Sequence, residues 1–136
     1  MNDLLYEYIR DPSNPEKCFN LAVAYYKEGQ TAAATSFFIR AADRSGDDLN
    51  LAYECLLHVG SCFDQQGNRL EHVRGCYKHA LSLLPKRPEA YYLLANFQNW
   101  NSVFDDSYQL CKQALAVCNF DNPAFRMPTK YPGKWG

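Results

Sequence analysis

One pattern recurs three times along this chain of 136 residues, and it limits the fold more than any other feature. The first copy runs Cys18, Leu21, Ala22, Tyr25, then Ala34, Phe38, Ala41. The second runs Leu56, Val59, Gly60, Phe63, then Val73, Tyr77, Ala80, closed by Pro85. The third runs Tyr91, Leu94, Ala95, Gln98, then Ser107, Cys111, Ala114. Corresponding positions lie 34 to 39 residues apart. Within each copy the spacings of three, four and seven place the apolar residues on one side of a helix. The small residues mark where two helices approach closely. A helix pair of this kind cannot hide its apolar stripe alone, so neighbouring pairs must stack. Self-similarity at this period predicts an all-α, helix-turn-helix solenoid of about seven helices. Such arrays serve as surfaces for holding other molecules, so the expected function is non-catalytic protein interaction or scaffolding.

Breakers divide the chain accordingly. Residues 3–10 form a short amphipathic helix with Leu4, Leu5, Tyr8 and Ile9 on one side, ended by Asp11-Pro12 and Asn14-Pro15. Helices follow at about 15–28 and 31–44, separated by Gly29-Gln30, with Thr31 as the expected cap of the second. Past Ser45-Gly46, Asp47 or Asp48 caps a helix running to about Gln66. Pro12 to Ala22 is ten residues and Gly46 to Gly60 is fourteen, so this helix should be longer by one turn. Further helices are expected at about 69–84, 88–100 and 104–118. Asp105-Asp106 reads as a cap and dipole partner of the last. From Asn119 the pattern fails. Residues 120–136, rich in proline and aromatics, read as an arm that folds back over the last helices or as the start of a following segment.

The helical repeat region is thus expected at residues 1–119, one domain. Apolar residues make up 47% of the chain and aromatics 15%, enough for a packed core and too many for disorder. A net charge of -1 leaves no electrostatic drive toward nucleic acid. No apolar run approaches the roughly 20 residues of a membrane span, and the N-terminus lacks a signal-peptide pattern. The six cysteines fall in amphipathic stretches, which argues for reduced thiols packed as small hydrophobes in a cytoplasmic protein.

The repeated residues resemble the tetratricopeptide repeat, W-x2-L-G-x2-Y…A-x3-F…A…P. The match covers about residues 1–119. Asn20 through Gln30 (NLAVAYYKEGQ) is similar to the family's first helix and turn. Departures are Gly46 for the closing proline, Val73 for a small residue, Gln98 for an aromatic and Cys111 for phenylalanine. A looser resemblance links the stretch from Gly60 to Phe97 to tetratricopeptide segments accompanying glycosyltransferase domains in some bacterial and viral proteins. It implies, as an alternative, an N-terminal helper domain of a larger glycan-building enzyme, packed against its catalytic domain in cis.

In the family's superhelix the first helix of each repeat lines a concave face. That geometry would put Phe19, Asn20, Val23, Tyr26 and Lys27 there, then Leu57, His58, Ser61, Asp64 and Gln65, then Tyr92, Leu93, Asn96, Asn99 and Trp100. Aromatic anchors among amides and hydroxyls suit an extended peptide or helix. Tyr26, Tyr92, Asn96 and Trp100 are the expected contacts. The family's clamp for a terminal carboxylate is not supported: its positions correspond to Phe19, Val23, His58, Glu89 and Leu93, which hold no cationic cluster. Pairing of two copies through an exposed end helix is a further expectation.

Two groupings of soft ligands share helix faces, Cys55, His58 and Cys62 on one helix and His72, Cys76 and His79 on the next. Neither forms a C-x2-C pair or an H-E-x2-H motif, so the reading is core cysteines with histidines at the solvent edge and no metal. No nucleophile elbow, phosphate-cradling loop or dinucleotide fingerprint is present. The expectation is a protein with no catalytic residues and no cofactor.

Overall fold

The computed structural model describes residues 2–119; the arm at 120–136 lies outside the described residues. The protein is all-α. Seven helices follow in order: α1 (Asn2–Arg10), α2 (Pro15–Lys27), α3 (Thr31–Asp43), α4 (Leu49–Gln66), α5 (Leu70–Leu83), α6 (Pro88–Trp100) and α7 (Phe104–Val117), with no strand among the described residues. Each helix packs chiefly on its sequence neighbours, so the main contacts run α1–α2, α2–α3, α3–α4 and onward to α6–α7.

Local chemistry accounts for the helix ends. Asn14 caps α2 by accepting from the Glu16 and Lys17 amides, and Pro15 occupies the first turn, where its missing N–H costs nothing. After α2, Gly29 takes φ 79°, a left-handed conformation that a side chain would resist. Its N–H donates to the Tyr26 carbonyl and that of Gln30 donates to Tyr25, closing the helix with a Schellman motif. Two expected caps are corrected. Gln30, not Thr31, precedes α3; Thr31 already belongs to the helix, and its carbonyl accepts the Thr35 hydroxyl at 2.7 Å. Val103 precedes α7, so Asp105 and Asp106 lie in its first turn without capping it, and Asp106 accepts from Gln98 Nε2 at 2.6 Å.

The motif residues are the core. Ala22, Ala34, Phe38 and Ala41 are buried in a cluster that α4 completes with Leu51, Cys55, Val59 and Cys62. A second cluster takes Tyr53 and Leu57 of α4, Val73, Tyr77 and Ala80 of α5, and Ala90, Leu94 and Ala95 of α6. Helix α4 therefore serves both clusters. Gly60 lets it approach α5: a Cβ there would lie 2.5 Å from Cε1 of Tyr77, closer than real contacts allow. At the matching approach in the third pair, the Ser107 hydroxyl donates to the Ala95 carbonyl at 2.8 Å.

The extra turn of α4 is real, 18 residues against 13 in α2 and α6. No side chain of Arg87, which precedes α6, caps that helix; instead the hydroxyl of Tyr53, just after the added turn of α4, accepts the Ala90 amide at 2.8 Å. An unpaired N–H of the first helical turn is thereby satisfied from the preceding repeat. Beside it Arg87 Nη2 meets Oε2 of Glu89 at 2.6 Å, with the Glu89 side chain only 1% exposed. Gln98, standing where the first two copies have Tyr25 and Phe63, joins three helices. Its Oε1 accepts from Arg74 Nε of α5 at 2.9 Å while its Nε2 donates to Asp106 of α7.

Candidate functional site

The expected contact residues come from the first helices of the three repeats, and the structure separates them into three groups. Phe19, Leu57 and His58 are buried in the core, and Leu93, also buried, borders the groove described below. The reason is the two-sided burial of the stacked helices. His58 stacks on Phe38 with ring centroids 4.6 Å apart and meets Phe19 edge-on at 5.4 Å, filling the space between α2, α3 and α4. Asn20 and Lys27 are exposed and Val23 half-buried on α2.

A second group ties α2 to α4. The Tyr26 hydroxyl lies 3.2 Å from Ser61 Oγ and accepts from Gln65 Nε2 at 2.5 Å. These three residues are already matched to one another, so the first junction on this side is closed by the protein itself.

The third group stands at the next junction, between α4 and α6. Here Ser61 and Asp64 face Tyr92, Asn96 and Trp100 across a groove of about 450 Å³, with Tyr77 and Asn101 among the other lining residues. Trp100 is 80% exposed, the highest value among the large hydrophobic side chains described. Asn101 Nδ2 donates to the Phe97 carbonyl at 2.8 Å, which fixes the amide at the groove's end. Among the described residues Asp64 is the single charged one lining the groove, and partial loss of water raises its pKa above the ordinary carboxylate value. Burial likewise pushes the Tyr77 phenol far up, so it is a neutral hydroxyl at the groove wall. Asn99 faces elsewhere. With Tyr92 and Asn96 it borders a separate hollow of about 420 Å³ against Ser107, Cys111 and Leu115 of α7.

Sequence reasoning missed Tyr77 and Asn101 as groove residues. Tyr77 was legible only as a core aromatic of the second repeat, and Asn101 followed the last residue assigned to its helix.

The ligand-type residues are dispersed. Cys55 and Cys62 are fully buried, and His72 packs on Phe63 with centroids 5.3 Å apart. Among the described residues no three His, Cys, Asp or Glu side chains come together as a metal site would require. All six cysteines are free thiols, and burial raises the pKa of Cys76 and of Cys118 to about 11. No helix among the described residues is long and apolar enough to cross a membrane.

The chain matches no protein-family pattern, and no curated protein matches it.

Proposed function

We propose that this protein is a non-catalytic interaction module, a tetratricopeptide-like superhelical array that holds a peptide in the groove between α4 and α6. The observation that carries the reading is Trp100. A tryptophan 80% exposed at the mouth of a groove, beside Tyr92 and two asparagine amides, is an anchor of the kind that dominates peptide interfaces. The groove's hydroxyl and amide groups suit the polar backbone of an extended segment. Tyr26 leaves the list of contacts, since its hydroxyl is engaged by Ser61 and Gln65. Free thiols in a chain with six cysteines favour a reducing compartment such as the cytoplasm.

The test is panning of a displayed library of random short peptides on immobilised protein. Wild type should enrich peptides above the bare support, and a Tyr92→Ala/Trp100→Ala double variant should not. Equal enrichment on both removes the groove from the reading.

A second reading rests on α7, where Phe104, Tyr108 and Leu115 are exposed along one side. That face suits packing against an adjacent domain in cis, as in a helper segment of a glycosyltransferase-type protein. A nucleotide-sugar transferase domain encoded after residue 136 would support it, and a stop codon there would remove it.

A further inference from the structure

The three repeats can be compared position by position, because Ala22, Gly60 and Ala95 mark the same point in each. Four residues beyond that point stand Tyr26, Asp64 and Asn99. One residue beyond stand Val23, Ser61 and Asn96, and five beyond stand Lys27, Gln65 and Trp100. At the first junction Tyr26 reaches across to Ser61 and Gln65 and closes the gap. At the second junction the equivalent trio is Asp64, Asn96 and Trp100, and all three line the groove. Where the first junction has a long aromatic hydroxyl, the second has a short carboxylate. The gap that Tyr26 fills with its own side chain is left open in front of Asp64.

The chemistry of that gap is specific. Asp64 has no ion pair and no side-chain hydrogen bond among the described residues. Among the described residues no cation lines the groove. Arg74, on the neighbouring α5, is held by Glu71 at 2.7 Å and by Gln98. Asp64 is exposed at the groove with its carboxylate modestly desolvated, and among the described residues no cation faces it, so the groove is complementary to a positive charge. The rest of the lining is aromatic or amide: Trp100 and Tyr92 offer ring faces, and Asn96 and the amide oxygen of Asn101 offer hydrogen-bonding groups. One negative charge beside the exposed ring of Trp100 and the half-buried ring of Tyr92 complements a side chain with one positive charge on a flexible apolar stem.

We infer that the peptide held between α4 and α6 presents a lysine or arginine to Asp64, with the stem of that side chain lying along Trp100 and Tyr92. The inference rests on the peptide-binding reading above and narrows it to basic peptides. It disfavours acidic ligands at this groove, since a carboxylate brought to Asp64 meets like charge.

The experiment pans the same random-peptide library on wild type, Asp64→Asn and Asp64→Glu, each first shown by circular dichroism to be folded. Peptides recovered on wild type should share a lysine or arginine at one fixed position. A synthetic fluorescent copy of a recovered peptide is then compared with a copy in which that residue is norleucine, which keeps the stem and drops the charge. The exchange should weaken binding about tenfold on wild type and less than about twofold on Asp64→Asn, while Asp64→Glu keeps most of the difference. Recovered peptides without a fixed basic position, or an equal loss on wild type and Asp64→Asn, would overturn the inference and leave the groove reading standing. Failure of wild type to enrich any peptide above bare support would bring down both.

Discussion

The two junctions between first helices use the same repeat positions for opposite ends. Between α2 and α4 the chain supplies both partners: Tyr26 meets Ser61 and Gln65, and Phe19, Phe38 and His58 fill the space behind them. Between α4 and α6 the corresponding side chains are Asp64, Asn96 and Trp100, which stand apart around about 450 Å³ of open volume. The backbone plan is shared, since both junctions rest on Ala, Gly or Ala at the same point of helix contact. The difference lies in reach. A tyrosine spans the gap and turns the junction into cement; an aspartate stops short and leaves a groove. On the proposed reading, binding capacity is set by which junctions the chain fails to fill with its own side chains, and this can change at a single position.

Substitutions can break this contrast or sharpen it. The largest effect is expected from Glu89→Ala, which removes the buried carboxylate that meets Arg87 at 2.6 Å; urea unfolding should show a loss of about 3 kcal/mol. Gly60→Ala comes next. The added methyl meets the ring of Tyr77, which packs the core and borders the groove, so α4 and α5 must separate at a cost of about 2 kcal/mol. Tyr53→Phe leaves the Ala90 amide without its acceptor, and unfolding should show about 1–2 kcal/mol lost while the first junction is unaffected. Tyr26→Phe removes the hydroxyl that closes the first junction, for about 1 kcal/mol, without changing peptide capture at the second. Asp64→Tyr is the sharpest test, since it copies the first junction's solution into the second: peptide binding should disappear with stability within about 0.5 kcal/mol of wild type.

The smallest effect carries a sign. Burial raises the pKa of Asp64, so its folded value exceeds its unfolded one. A carboxyl shifted in that direction favours folding most when protonated and costs stability as pH rises through its folded pKa. Thermal melts of Asp64→Asn at neutral pH should therefore show a Tm slightly above wild type, with the difference shrinking as pH falls below the carboxylate range. A clear loss of Tm would mean that Asp64 is a structural partner and not an idle charge.

The sequence announced the helices well, because their positions depend on local signals. Asn14-Pro15, Gly29-Gln30, Gly67 and Pro88 each mark a boundary within a residue or two of where it lies, and the four-residue excess before Gly60 does lengthen α4. The caps at Thr31 and Asp105-Asp106 were misjudged because side-chain type alone does not say which residue first turns helical. The contact surface was legible only in part. Helical spacing shows that Phe19, Leu57, His58 and Leu93 share a face with Asn96 and Trp100, but not how far that face is covered by the next helix. Burial there depends on the distance between stacked pairs, which a one-dimensional pattern does not contain. The hydrogen bonds of Tyr26 were illegible for the same reason: its partners, Ser61 and Gln65, lie on another repeat.

Tyr53 makes the final point about modularity. Its hydroxyl reaches from α4 in one repeat to complete the start of the next, so the second and third units are keyed to each other like a tenon and its slot. Excising α6 and α7 would leave more than a shorter rod: a polar group built for a vanished neighbour would face the cut end. Transplanting α6 onto another array would likewise deliver a helix whose first amide has lost its acceptor. Units that look interchangeable in the letters are therefore bound to one order, and shuffling them would be penalised at that one oxygen.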